Sequence, residues 1–281
     1  LVNRVARAFP DKRISTLAYQ YTRHAPRGIV PEKNVLITLC SIESDRSAPI
    51  EEKSKDFAKD LTDWSALGAH LRIWDYTTQF TNFLAPFPNI HTLAPNIRFF
   101  ANHHVNWVFE QHSHQPSDLY ELRCWLTSQL LWNPSFSSDS LIKAFCNSYY
   151  GKAGSYVNTY VTELEKGIQE YPKFYLFLYG DPSQGFDSWL SADRMKRYNA
   201  LFDQAQQAVA ANPTYLHRVE IARLGIDFAT LERYRLNEPP YTLNQSAAIQ
   251  KRLSRFKSAT AMESVIQMNE MGLPLKDYLS A

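Results

Sequence analysis

The sequence predicts an α/β fold that comprises the second half of a (β/α)8 TIM-like barrel, followed by an all-helical C-terminal region. Short runs rich in β-branched and aromatic residues alternate with longer connections before residue 115. After residue 116 the apolar residues follow helical spacing only. The strand runs are too apolar for an open sheet with one face in water, and four β/α units are half of a closed eight-stranded barrel.

Each predicted strand ends in polar or charged groups, and the predicted strands are residues 13–21, 35–41, 70–76 and 105–110. Long connections separate them, which implies parallel pairing because a parallel return requires a crossover. We expect crossover helices over residues 51–67, where Gly68 is the stop signal, and over residues 89–104, with Pro95 near the start.

The N-terminal residues also carry a helical stripe, at positions 2, 5, 6 and 9, so the first residue lies inside a predicted helix. We therefore expect the chain to be the downstream part of a longer protein. Its expected protein partner is the missing N-terminal part of the barrel, or else a second copy of the chain, because a half barrel leaves strand edges unpaired.

Several helices are predicted beyond residue 116. Ser117 and Ser191 are the expected N-caps of two of them. The predicted helices cover residues 118–132, 139–150, 153–170, 192–209, a segment after Pro213, and residues 246–270. The apolar run at residues 174–179 fits either a strand or a buried connection. We divide the chain into a half barrel (1–115), a helical extension (116–238), and a linker at Pro239–Pro240 with the terminal helix (239–281).

Composition excludes several classes of protein. The net charge is +2 with basic and acidic residues interspersed, so nucleic acid is not an expected partner. No apolar run reaches the ~18 residues of a membrane span, and no signal-peptide pattern occurs in this chain. The three cysteines form no metal-binding spacing, and we expect free, buried thiols. Aromatic residues make up 14% of the chain, which suits core packing and also the apolar faces of sugar rings.

Several separated motifs occur in a familiar order: FPDKRISTLAYQYTR (9–23), NVLITLCSIE (34–43), LRIWDYTTQF (71–80), PFPNI (86–90), NWVFEQ (106–111) and LLWNPSFSSDSLIKAFCNSYYG (130–151). Together they resemble a bacterial domain-of-unknown-function family, family 4838, whose members look like relatives of α-glucuronidases and hexosaminidases. The resemblance covers roughly residues 1–235. It implies a glycoside hydrolase that acts on a poly- or oligosaccharide without a cofactor or metal, in a parent protein that is periplasmic or extracellular. The chain departs from the family pattern by lacking the strands that would precede Arg13.

The candidate catalytic residues are carboxylates at the carboxyl ends of the strands, where barrel enzymes build their active sites. They are Asp75, Glu110 and Glu43. A glycosidase requires two carboxyl groups, and we expect Asp75 and Glu110 to project into one cleft because both close neighbouring strands. The alternative for Asp75 and Glu110 is a partnered structural role, and for Glu43 an ion pair with Arg46.

The candidate substrate-binding residues are Tyr19, Tyr21, His24, Tyr76 and His112. Tyr19, Tyr21 and Tyr76 can stack on sugar rings, although half of the aromatic residues of any strand face the helices instead. Glu110, His112 and His114 have a spacing that can bind a metal, but the resemblance implies none. Cys40 could be a nucleophile with His24 or His112 as base, or simply a buried thiol. A non-catalytic carbohydrate-binding or scaffold protein with a degenerate barrel is the alternative function.

Overall fold

The computed structural model describes residues 1–236 and 246–280, so the predicted linker at Pro239–Pro240 lies outside the described residues. The strands are β1 (Ile14–Ala18), β2 (Val35–Cys40), β3 (His70–Tyr76) and β4 (Val105–Gln111). The helices are α1 (Val2–Ala8), α2 (Ile50–Lys53), α3 (Lys55–Ala66), α4 (Ile90–Asn102), α5 (Tyr120–Trp132), α6 (Ser138–Tyr150), α7 (Gly154–Gln169), α8 (Ala192–Val209), α9 (Pro213–Ala222), α10 (Leu224–Arg235), α11 (Ser246–Met262) and α12 (Leu275–Tyr278).

The four strands form one parallel sheet in the order β1-β2-β3-β4. Helices connect β2 to β3 and β3 to β4, as a parallel sheet requires. Opposite residues include Leu39 and Ile73, and then Ile73 and Val108. An irregularity between Leu71 and Arg72 shifts the register against β4. The predicted four parallel strands and the mixed α/β class are confirmed.

One face of this sheet is covered by helices α1, α3 and α4. Alternate strand residues form a buried cluster with these helices, and the strand members of the cluster are Ala18, Val35, Ile37, Leu39, Leu71 and Ile73. We call this side the helix-covered face. The intervening residues project from the opposite side, which we call the open face: Leu17, Cys40, Arg72, Trp74, Tyr76, Trp107, Phe109 and Gln111.

The helical region has its own apolar core, and α4 packs on both this core and the sheet. Leu122, Leu126 and Leu130 of α5 are fully buried in it, as their helical spacing predicts. Residues 174–179 form a connection rather than a strand, in which Leu176 and Leu178 are buried while Tyr175 and Tyr179 are exposed. Within them, the carbonyl of Leu178 accepts a hydrogen bond from the Phe80 N–H (2.7 Å). In the part of the chain that the structure describes, no helix has the length and apolarity to cross a bilayer.

Some predicted helix boundaries were wrong. Helix α5 begins after Leu119, whose backbone is left-handed (φ +49°), so the Ser117 hydroxyl does not cap it. The helix expected over residues 51–67 is divided at Ser54 into α2 and α3. The helix expected to reach residue 270 ends at Met262, because the chain turns back to bury Val265 and Met268 against α10 and α11.

We predict that the side chains buried on the helix-covered face contribute most of the stability of the sheet. Replacing Leu39 by alanine removes a fully buried side chain and should lower the free energy of unfolding by about 2–5 kcal/mol. The matched change Leu17→Ala, on the open face where the side chain is 50% exposed, should cost no more than about 0.5 kcal/mol. Urea unfolding followed by circular dichroism compares the two, and equal losses would contradict this assignment of faces.

Candidate functional site

Aromatic side chains gather on the open face, at the carboxyl end of β3 and β4. The rings of Trp74 and Tyr76 stack with centroids 6.3 Å apart and an interplanar angle of 23°. Phe109 meets Trp74 edge-on at 5.2 Å, and the indole Nε1 of Trp74 donates a hydrogen bond to Oε1 of Gln111 (2.7 Å). We call these four residues the aromatic platform. Tyr76 is buried against the core of the helical region, and the partly exposed Trp74 and Phe109 rings leave an apolar surface with the Gln111 amide at its edge.

Tyr19 and Cys40 lie beside the platform. Burial raises the pKa of the Cys40 thiol to about 11, while a hydrogen bond with the Tyr76 hydroxyl opposes the shift. Burial also raises the pKa of Tyr76, and the groups of Cys40, Tyr19 and Tyr179 add to the shift. At neutral pH these groups are therefore uncharged hydrogen-bonding groups. A thiol with a raised pKa is a poor nucleophile, so this environment disfavours the nucleophile interpretation of Cys40.

Two segments of the helical region border the same end of the open face. One is residues 174–180, in which the Tyr179 ring lies 6.2 Å from the Phe80 ring. The other is residues 263–274, in which the Glu270 N–H donates to the Phe80 carbonyl (3.1 Å). The pKa of Tyr179 is raised by burial first, and then by a hydrogen bond to Glu270 and by its charge. Sequence reasoning missed both residues, because residue 270 was assigned to a helix and 174–179 was left undecided.

Cations lie near the amino end of the open face. The guanidinium of Arg13 is 4.8 Å from the centroid of the Trp107 ring, and that of Arg72 is 5.8 Å from the Phe109 ring. Trp107 remains 41% exposed. The amino end of the open face thus has arginine side chains beside aromatic rings. The carboxyl end has tyrosines and a nearby carboxylate, Glu270.

Asp75 and Glu110 lie side by side, but on the helix-covered side of the sheet. They are opposite each other in the register, and alternation places Asp75 on the same side as Ile73. The Ser41 hydroxyl donates to Asp75, and the Arg46 guanidinium lies 3.4 Å from the same carboxylate. The expected shared cleft on the platform side is therefore not found, because Trp74 and Tyr76 occupy the open-face positions of this strand.

Glu110 shares the buried environment of Asp75. Its Oε2 is buried without a hydrogen-bond partner among the described residues. The pKa of Glu110 is raised well above its ordinary value by burial and by the Asp75 charge, with the charge of Arg46 opposing the shift. One guanidinium faces two carboxyl groups. Asp75 is buried, and Glu110 is half-buried with one buried oxygen that has no partner among the described residues, so the pair is a polar cluster rather than an open acid and base.

Glu43 and His24 belong to a chain of ion pairs at the rim. Arg23 contacts Glu43 (2.9 Å) and Asp60 (2.5 Å), and His24 Nδ1 is 2.6 Å from the other Asp60 oxygen. Asp60 lies on α3, so His24 points away from the platform, with its side chain 74% exposed. Glu43 lies in the loop after β2, and its carbonyl accepts a hydrogen bond from the Tyr175 hydroxyl (2.6 Å). The predicted alternative partner of Glu43, Arg46, is instead held by Asp75.

Tyr21 and His112 do not join the platform. Tyr21 is 92% exposed, in a short 3-10 turn after β1. His112 packs edge-on against Tyr120 at 5.3 Å, and burial with the nearby Arg123 charge lowers its pKa to about 3. His114 lies apart from it, within hydrogen-bonding distance of the Gln267 side chain. Within residues 1–236 and 246–280, no three His, Cys, Asp or Glu side chains are grouped as metal ligands.

The first part of the chain matches a known protein family. A model of the family described as Domain of unknown function (DUF4838) matches residues 1–162. The chain belongs to this family. The DUF4838 match spans the sheet and the whole aromatic platform, whereas Tyr179 and Glu270 lie beyond it. No curated protein matches the chain.

We predict that Glu110 gives the folding stability of this DUF4838 chain a distinctive pH dependence. Above the ordinary glutamate pKa of 4.5, the unfolded state loses the Glu110 proton while the folded state keeps it. Stability should therefore fall as pH rises, up to the folded pKa. Glu110→Gln removes this contribution, so the variant should gain stability relative to the wild type as the pH rises above 4.5. Urea unfolding measures it, with the exposed Glu51→Gln as control. Parallel pH profiles for wild type and Glu110→Gln would contradict the assignment.

Proposed function

We propose that this chain is part of a glycoside hydrolase and that its aromatic platform binds a sugar ring of a poly- or oligosaccharide. The observation that carries the proposal is the stacked Trp74–Tyr76 pair, with the Gln111 amide at its edge, on the sheet face that no crossover helix covers. Sugar rings present apolar C–H faces and hydroxyl edges, which match such a surface. The resemblance of the family motifs to α-glucuronidases and hexosaminidases supports the same class.

We further propose that the sheet is half of a (β/α)8 barrel whose interior is the open face. Parallel sheets are normally covered on both faces. Here Leu17, Trp107 and Phe109 are each at least 39% exposed on the open face. In the completed barrel, the platform would lie at the carboxyl ends of the strands, where barrel enzymes hold their substrates.

Glu43 is the predicted catalytic carboxylate that best fits this site, because it follows the carboxyl end of β2 and its side chain is 43% exposed. Asp75 then acts as a positioning residue. It holds the buried Arg46 guanidinium, which donates to the carbonyls of Ser41 (2.8 Å) and Ser44 (3.1 Å) in the loop that carries Glu43. Asp75, near the end of β3, thus helps Arg46 to fix the loop that carries Glu43.

A non-catalytic carbohydrate-binding protein is the second candidate. The ion pair of Glu43 with Arg23 favours it, since a carboxylate held by a guanidinium is a poor proton donor. Release of reducing sugar from a bound oligosaccharide distinguishes the two, because only the hydrolase produces it.

We predict that Trp74→Ala weakens sugar binding about tenfold, because it removes the larger ring of the stacked pair. The probes are the hexasaccharide of N-acetylglucosamine and a xylo-oligosaccharide that carries glucuronic acid, and isothermal titration measures the affinity for the 281-residue chain. Trp132→Ala is the matched control, because Trp132 is 86% exposed on α5. Failure of the wild type to bind either probe would count against the proposed function. Undiminished binding by Trp74→Ala would show that the sugar does not bind at the aromatic platform.

The half-barrel proposal predicts self-association of the isolated chain. Its edge strands and exposed apolar open face should associate with a second copy or aggregate. Light scattering after size exclusion should show species larger than the 32.4 kDa monomer. The double substitution Leu17→Lys with Trp107→Lys should shift them towards monomer, whereas Trp132→Lys should not. A stable wild-type monomer would argue against an incomplete barrel.

A further inference from the structure

Residues 263–274 cross the carboxyl end of the sheet and are held there by several hydrogen bonds. The Phe83 N–H donates to the Met268 carbonyl (2.8 Å), and the Glu270 N–H donates to the Phe80 carbonyl (3.1 Å). Met268 is fully buried. The segment is therefore fixed on the loop that follows β3, the strand that carries the platform.

A buried glutamine strengthens this attachment. Oε1 of Gln115, which follows β4, accepts hydrogen bonds from the N–H groups of Ile266 (3.2 Å) and Gln267 (3.3 Å), and its amide donates to the Gln267 carbonyl. The segment thus contacts residues that follow β3 and residues that follow β4, the two strands that carry the platform. Its position is defined by hydrogen bonds at residues 266–268 and at Glu270 itself.

The Glu270 side chain lies in the same cluster as the platform. Phe80 packs against Tyr76 (6.1 Å between centroids) and against Tyr179 (6.2 Å), and the Glu270 carboxylate is hydrogen-bonded to the Tyr179 hydroxyl. Its charge also contributes to the raised pKa of Tyr19. No lysine, arginine or histidine in residues 1–236 or 246–280 forms an ion pair with Glu270. The site therefore holds a second carboxylate whose charge is not paired with a cation.

We propose that Glu270 is the second carboxylate of the site, that it contacts the bound sugar as the proton donor, and that Tyr179 positions it. This inference rests on the proposed function. Glu43 follows β2, and Glu270 is hydrogen-bonded to the loop that follows β3, so the two carboxylates come from different segments at the same end of the sheet. Glu270 lies outside residues 1–162, the range of the DUF4838 match. The proposed site therefore combines residues from inside and outside that range.

The reaction balances with water as the only co-reactant. The Glu270 carboxyl group gives its proton to the glycosidic oxygen as the bond from that oxygen to the anomeric carbon breaks. A water oxygen forms the new bond to this carbon, and the Glu43 carboxylate accepts the proton that the water releases. Exchange with solvent restores both groups. Glu43 is held by Arg23 (2.9 Å), whereas Glu270 forms no ion pair with the residues that the structure describes.

The test is Glu270→Gln in the parent protein that would carry the complete barrel, with Glu263→Gln as matched control. Glu263 belongs to the same segment but contacts His217 (2.7 Å), which lies on α9. With the two oligosaccharide probes used for Trp74→Ala, Glu270→Gln should lower the hydrolysis rate by about 100-fold or more. Glu263→Gln should match the wild type. Tyr179→Phe should lower kcat with little change in KM.

The binding measurement keeps the two proposals separable. A wild-type parent protein that neither binds nor hydrolyses the probes defeats the proposed function. A wild-type parent protein that binds, with Trp74→Ala weakened but Glu270→Gln within twofold in affinity and rate, defeats only the role of Glu270. If the wild type binds without hydrolysis, Glu270→Gln should still weaken binding at least fivefold, and unchanged affinity overturns the contact. Thermal unfolding of each variant confirms that the fold is retained.

Discussion

The buried guanidinium of Arg46 organises the functional end of this molecule. It donates hydrogen bonds to the carbonyls of Ser41 and Ser44 after β2, and to the carbonyl of Tyr76 at the end of β3. The Arg46 N–H also donates to the Leu176 carbonyl (2.9 Å), which ties the helical region to the sheet. A buried cation requires compensating charge, and removing one partner of such a pair typically costs about 3–5 kcal/mol. Asp75 supplies that charge.

A second buried polar contact joins the sheet to the helical region through α4. Glu165 of α7 accepts hydrogen bonds from the first N–H groups of α4, at Ile90 (3.0 Å) and His91 (3.3 Å), and also contacts the His91 imidazole. A carboxylate at a helix N-terminus satisfies donors that have no partner within the helix. The helical region is consequently held close enough to the strand ends to deliver Tyr179 and Glu270 to the open face.

The candidate site was partly predictable because strand ends are local features. Tyr76 and Tyr19 follow apolar runs, and the structure places Tyr76 at the end of β3 and Tyr19 directly after β1. Asp75 met the same criterion and lies on the other side of the sheet. The sequence pattern shows that Asp75 and Tyr76 face opposite ways, but not which way each faces. His24 and His112 were selected by position along the chain, and their actual partners, Asp60 and Tyr120, come from other elements.

The sequence by itself determined the four parallel strands, the helical character of the chain beyond residue 116 and the family, because apolar spacing and ordered motifs are properties of short segments. Tertiary structure alone decided which sheet face is covered, since that depends on where α1, α3 and α4 pack. It also decided that Glu270 borders the platform. Residues 80 and 270 are joined by one backbone hydrogen bond across the whole helical region. No local pattern encodes a contact of that separation, because it follows from how every intervening helix packs.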